Sequence, residues 1–155
     1  MTIQVDVETT IARPPAAVFE ALVDVERYPA WLIASGIVRV ERLDAGPLKA
    51  GSGLRISQTV AGRSTVLDGR VTVLEPGAAF GLRGKDKEGV SVEIDGVLAV
   101  DDVAVGVLAT RLRWSLRVGL PLRYRMFESM VAPQARRAAA LDLEAFKRRL
   151  ETAVD

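Results

Sequence analysis

The chain contains no cysteine and no histidine. Without cysteine there is no disulfide, no thiolate nucleophile and no Cys-ligated zinc. Without histidine, the commonest general base and the commonest transition-metal ligand are also missing. Any catalysis must draw on carboxylates, Tyr, Lys, Arg, water or a bound group. No metal site and no cofactor is expected. The "GSG" at 51–53 lacks a Walker lysine and reads as a turn. No apolar run approaches the roughly 18 to 20 residues that span a bilayer. The opening "MTIQVDVETT" has neither the basic region nor the apolar block of a signal peptide, so a cytoplasmic location is expected. Charge of one sign is missing as well: 21 Lys and Arg stand against 20 Asp and Glu, a net of +1. That balance argues against a dedicated nucleic-acid binder, and no nucleic-acid partner is expected.

What is present is 155 residues, 49% of them apolar. This length and composition predict one globular domain over 1–155 with one core. Residues 3–11 alternate, with Ile3, Val5, Val7, Thr9 and Ile11 on one face, which predicts a strand with one buried side. Pro14 and Pro15 end it, because proline cannot donate to a ladder, and both suit the first turn of a helix. Val18, Phe19 and Leu22 then recur at helical spacing, and Asp24 offers a cap for a second short helix near 25–33.

Six strands are predicted next: 36–43, 54–60, 63–75, 78–84, 90–100 and 107–118. Turns are read at "DAGPLKAGSG", Ala61–Gly62, Pro76–Gly77, "KDKEG" and "DDVAVG". Short turns between successive strands predict an antiparallel meander. From Pro121 to Ala153 the period changes to that of a long helix rich in Ala, Leu, Glu and Arg. Pro133 predicts a kink or break near Val131 or Ala132. A curved antiparallel sheet with one apolar face needs a cover, and the C-terminal helix is the available one. The class is α+β.

The stretches "TTIARPPAAVFEALVDVERYPAWL", "GRVTVLEPGAAFGLRG" and "ALDLEAFKRRLE" carry a resemblance along essentially the whole chain. It is to the START-like, birch-pollen-allergen-like (SRPBCC) superfamily, in its polyketide cyclase/dehydrase and lipid-transport branch. The resemblance implies a helix-grip fold: a curved seven-stranded antiparallel sheet wrapped on a long C-terminal helix, with two short helices after the first strand. It also implies that those short helices close one end of a cavity, and that Trp31 forms part of its wall. The bare alternative is that Trp31 is core. The superfamily includes cyclases, hydrolases and lipid carriers, so the resemblance speaks to fold more than to activity.

Alternation proposes the lining. Leu112 and Trp114 share a face with Thr110, Leu116 and Val118, while Arg111, Arg113 and Arg117 take the other. Val92 and Ile94 share a face, as do Leu54, Ile56 and Gln58; Leu67 joins Val71 and Val73. Gln58 is a polar residue in an apolar stripe, placed to orient a ligand or to bond a neighbour or water. Met126, Phe127, Met130 and Gln134 offer a pliable wall or simple gap-filling. Tyr28 and Tyr124, the two phenols, are each able to donate a proton or a hydrogen bond, or to stand exposed near an element end. Asp68 and Arg70 fall on the outer face as a solvated pair, so no polarising role on a polyketide carbonyl is carried over to Arg70. "DKE" at 86–88 reads as a solvated hairpin tip.

Three functions remain open on this reading. The first is binding or transport of a hydrophobic small molecule (lipid, polyketide or isoprenoid-like) in an internal cavity. The second is a polyketide cyclase/dehydrase-like enzyme. The third is contact with a membrane surface or an acidic protein through Arg111, Arg113 and Arg117.

Overall fold

A computed structural model describes residues 2–60, 62–104 and 107–152. Seven strands run in the order β1 (Thr2–Ile11), β2 (Ile37–Arg42), β3 (Gly53–Val60), β4 (Arg63–Glu75), β5 (Ala79–Lys85), β6 (Ser91–Ala104) and β7 (Val107–Gly119). Between β1 and β2 lie helix α1 (Pro15–Val23) and a 3-10 helix (Val25–Ala30). A second 3-10 helix (Leu122–Phe127) leads into α2 (Glu128–Thr152). Of the expected turns, Ala61 and Val105–Gly106 lie outside the described residues, as does Ala153 at the expected helix end.

The sheet is antiparallel throughout, in the spatial order β1-β7-β6-β5-β4-β3-β2. Strands β2 to β7 form the meander, and β1 returns to pair with the last of them. β1 and β2 are the two edges and do not pair, so the sheet stays open rather than closing into a barrel. Register shifts at Ile37/Arg39, Val71/Val73 and Asp101/Ala104 mark bulges, which bend a sheet.

The double proline serves both roles assigned to it. Pro14 is extended (φ −68°, ψ 155°) and caps α1, whose first residue is Pro15. α1 then buries Val18 and Leu22. It settles over β6 at Gly96, where a Cβ would lie 2.9 Å from Leu22 Cδ2. This end of the sheet is the closed end.

α2 packs along β1 and buries Ala139, Asp142, Leu143, Phe146 and Leu150. That spacing is one helical stripe. Its C-terminal turn is tied to the end of β1. Ala12 N–H donates to Glu151 Oε2 at 2.8 Å, and Arg13 Nη1 donates to the Leu150 carbonyl at 3.0 Å. Of the kink or break expected near Val131 or Ala132, the break is not found, because α2 is continuous through Pro133. The irregular turn falls earlier, in the 3-10 helix ending at Phe127. Pro133 sits in the second turn of α2, where its missing N–H leaves only the Ser129 carbonyl without its helical donor.

Candidate functional site

The concave face of the sheet divides into a sealed half and an unsealed half. The sealed half lies under α1 and the first 3-10 helix. Trp31 follows that helix directly, and its ring centroid stands 4.5 Å from Phe146, 5.2 Å from Tyr28 and 5.5 Å from Trp114. These edge-on and tilted contacts are the favourable aromatic geometries. Trp31 and Trp114 are each 2% exposed, while Phe146 and Leu112 are fully buried. Leu54, Ile56 and Leu67, on β3 and β4, are likewise buried. Of the expected lining, these six residues (Trp31, Leu54, Ile56, Leu67, Leu112 and Trp114) are packed into one core.

The unsealed part lies on β6 and β7, where β6 begins and β7 ends. There the register sets Val92 beside Val118 and Ile94 beside Leu116. By alternation all four share the face of Leu98 and Trp114, which are buried. The four themselves are only half-buried, although they pack against the core. Val131, Ala132 and Ala135, on the N-terminal half of α2, are in the same condition. An apolar surface continuous with the core is thus left partly open to water at this end.

Val92 and Ile94 are the expected site residues that this arrangement brings together. Leu116 and Val118 lay on the predicted inward face but were not singled out; their pairing across β6 is the signal that would have found them. Ala132 and Ala135 had no such signal, since an alanine on a helix reads as helix propensity alone.

Four expected wall residues lie elsewhere. Met126 is 77% exposed, Met130 63% and Phe127 45%, and Gln134 is exposed too. The phase of α2 explains the outcome. At 3.6 residues per turn, Met130 lies about 200° around the helix from buried Phe146, and Gln134 about 240°. Met126 and Phe127 belong to the 3-10 helix, which buries none of its residues.

The interior polar groups serve the backbone. Gln58 Nε2 donates to the Ser35 carbonyl at 2.8 Å. Asp142, 1% exposed, accepts from Ala34 N–H at 2.8 Å and Ser35 N–H at 3.0 Å. Burial pushes its carboxyl above the usual range, and the Ser35 and Ala34 hydrogen bonds draw it partway back. Together Gln58 and Asp142 hold the 34–35 loop between β3 and α2. Tyr28 is buried rather than exposed, and its hydroxyl donates to the Leu22 carbonyl. Burial pushes that phenol far up, with Asp24 adding to the effect. Thr110, fully buried, donates to the Arg13 carbonyl at 2.8 Å.

On the convex face, arginines meet acids across the strands. Arg111 lies 3.9 Å from Asp101 and Arg113 3.7 Å from Glu8, while Arg117 is paired in register with Glu93. Asp68 and Arg70 are exposed as expected, though Asp68 lies 4.0 Å from Arg55. The hairpin tip at 86–88 is more tied than expected. Asp86 Oδ1 accepts from Glu88 and Val90 N–H, and Glu88 joins Arg63 and Tyr124 at 3.0 Å each.

Two concavities among the described residues are surface grooves. One, of about 740 Å³, lies at the end of α2 by Arg148, Arg149 and Thr152. The other, of about 490 Å³, lies over β1 by Asp6, Glu8 and Arg113. Neither sits between sheet and helix, where the hollow was expected. Among the described residues no group of three or more Asp and Glu is placed to hold a metal ion. No helix among them is long and apolar enough to cross a membrane.

A family model described as "Polyketide cyclase / dehydrase and lipid transport" matches residues 2–151. The chain belongs to this family. Solved structures at 20% identity or below share its fold, a START superfamily protein among them. The Zhui aromatase/cyclase from Streptomyces sp. R1128 is 19% identical, with a TM-score of 0.75 over 97% of this chain and 94% of its own. A START superfamily protein from Mycobacterium smegmatis is 20% identical, with a TM-score of 0.74 over 96% and 97%. TTHA0849 from Thermus thermophilus is 16% identical, with a TM-score of 0.75 over 98% and 99%. No curated protein matches the sequence. The family description covers ligand binding and cyclase roles alike.

Proposed function

We propose that the protein binds a hydrophobic small molecule, of lipid, polyketide or isoprenoid type, against the unsealed half of the concave face. The supporting observation is the ladder Val92–Val118 and Ile94–Leu116. It is apolar, half-buried and packed against the core, as are Val131, Ala132 and Ala135 of α2. A ligand lying there would remove that surface from water, at roughly 25 cal/mol per Å². Small residues at Ala132 and Ala135 leave room between helix and sheet without disturbing Leu143, Phe146 and Leu150, which anchor the far half of α2. Gln58 uses its amide N–H on the 34–35 loop. Any part it plays in orienting a ligand falls to its amide oxygen.

The cyclase reading would need free polar groups aimed at one point. Tyr28, Thr110 and Asp142 are instead engaged with main-chain partners. This favours binding over catalysis. Nor do the arginines of β7 favour a docking role, since Arg111 and Arg113 have acids beside them.

Native mass spectrometry after gentle purification should show a co-purified apolar species. Titration with the apolar dye anilinonaphthalene sulfonate should give saturable binding. Replacing Ile94→Trp or Leu116→Trp fills the ladder and should weaken the dye about tenfold, the worth of roughly two buried methylenes. Binding unchanged by both substitutions would contradict the proposal.

A further inference from the structure

Leu122, Met126, Phe127 and Met130 crowd into nine consecutive positions and all face solvent, at 77%, 77%, 45% and 63% exposure. Single exposed apolar residues are ordinary, but a cluster of this kind marks a contact surface. It is not a frayed end. The Arg123 guanidinium donates to the Glu88 carbonyl and lies 5.0 Å over the Tyr124 ring. Tyr124 donates to Glu88 Oε2 at 3.0 Å, and Arg63 holds Glu88 Oε1 at 3.0 Å. The 3-10 helix is therefore fastened to the β5–β6 hairpin by its polar residues, while Leu122 and Met126 are left outside.

Charge supplies the second observation. Residues 122–141 carry Arg123, Arg125, Arg136 and Arg137 against one acid, Glu128. Among the described residues no ion pair engages Arg125, Arg136 or Arg137. The convex sheet face, with its paired arginines, is the contrast. On α2, Met130, Arg137 and Leu141 follow at spacings that put them on one side, opposite Phe146. Leu141 is 55% exposed. Arginines beside exposed apolar side chains match the boundary of headgroup and acyl chain. A second copy fits poorly, because a two-fold contact would set these arginines against themselves.

We propose that the second 3-10 helix and the outer side of α2 form a docking surface for an anionic lipid bilayer. The same 3-10 helix follows the end of β7, so a docked molecule presents its unsealed end close to the membrane. The docking proposal stands on the surface alone and does not require the ligand reading.

Co-sedimentation with vesicles tests it. The protein should pellet with phosphatidylcholine–phosphatidylglycerol vesicles and not with phosphatidylcholine alone, and added salt should weaken the binding. Met126→Asp with Met130→Asp should abolish it. Arg125→Glu, Arg136→Glu and Arg137→Glu should each cost about fivefold or more. Arg117→Glu, on the sheet, is the control and should cost less. Circular dichroism checks that each variant is folded. Failure of the wild type to bind the mixed vesicles would overturn the proposal. So would binding that survives the double Met variant, which would indicate a purely polyanionic or acidic-protein contact. Dimerisation through this face, seen by sedimentation and lost in the double Met variant, would overturn it too. Dye binding without vesicles should be unchanged in all these variants, which keeps this test separate from that of the ladder.

Discussion

Asp142 is the interior residue with the most at stake. Its carboxyl is buried and serves as acceptor for Ala34 and Ser35 N–H. Burial raises its pKa more than these bonds lower it. The folded protein therefore holds this proton more tightly than the unfolded chain does. The group's contribution to stability is largest at the acid end of that window. It declines as pH rises from the ordinary carboxylate range through the raised value. Urea denaturation at a series of pH values should thus show wild-type stability, relative to Asp142→Asn, falling across the window. A difference that grows instead would mean that the backbone donors outweigh burial. Gly36 is a second sensitive residue. Its φ is 77°, and a Cβ there would lie 2.0 Å from the Thr59 carbonyl oxygen. Gly36→Ala should cost more than about 2 kcal/mol by the same measurement. Neither residue stood out in the sequence. Their roles depend on contacts of the 34–36 loop with α2 and with β3, distant along the chain, which alternation within one strand does not report.

At the scale of the element, α2 has two different halves. Leu143, Phe146 and Leu150 make its C-terminal half a core helix, and Phe146→Ala should cost about 3 to 5 kcal/mol in thermal or urea unfolding. Met130→Ala, on the opposite side, should stay within about 0.5 kcal/mol. The helix and its composition were legible in the sequence. Its phase was not, because Val131, Ala132, Ala135, Ala138 and Ala139 give a weak apolar stripe against which Met126, Phe127 and Met130 look more hydrophobic. Hydrophobicity therefore pointed to residues that the structure leaves exposed. Pro133 misled for a related reason: proline ends a helix interior, but in the second turn its cost is one lost donor.

For the whole molecule, the meander and the inward faces followed from period-two alternation and turn residues, and the C-terminal helix as cover followed from the change of period after Pro121; the pairing of β1 with β7 did not follow from alternation. What alternation cannot give is the extent of burial along an inward face. Trp114 and Leu116 are equivalent in pattern, yet the first is sealed by Trp31 and the second is half open. That difference comes from where α1 and the first 3-10 helix end over the sheet. The proposed binding surface is therefore the unsealed end. Methyl-resolved NMR during titration with anilinonaphthalene sulfonate tests this directly. Val92, Ile94, Leu116 and Val118 should shift together and saturate with one affinity, while Leu54 and Leu112 should shift little. Shifts confined to residues around Arg148 and Thr152 at the far end of α2, or no saturable shift in the ladder, would contradict that proposal.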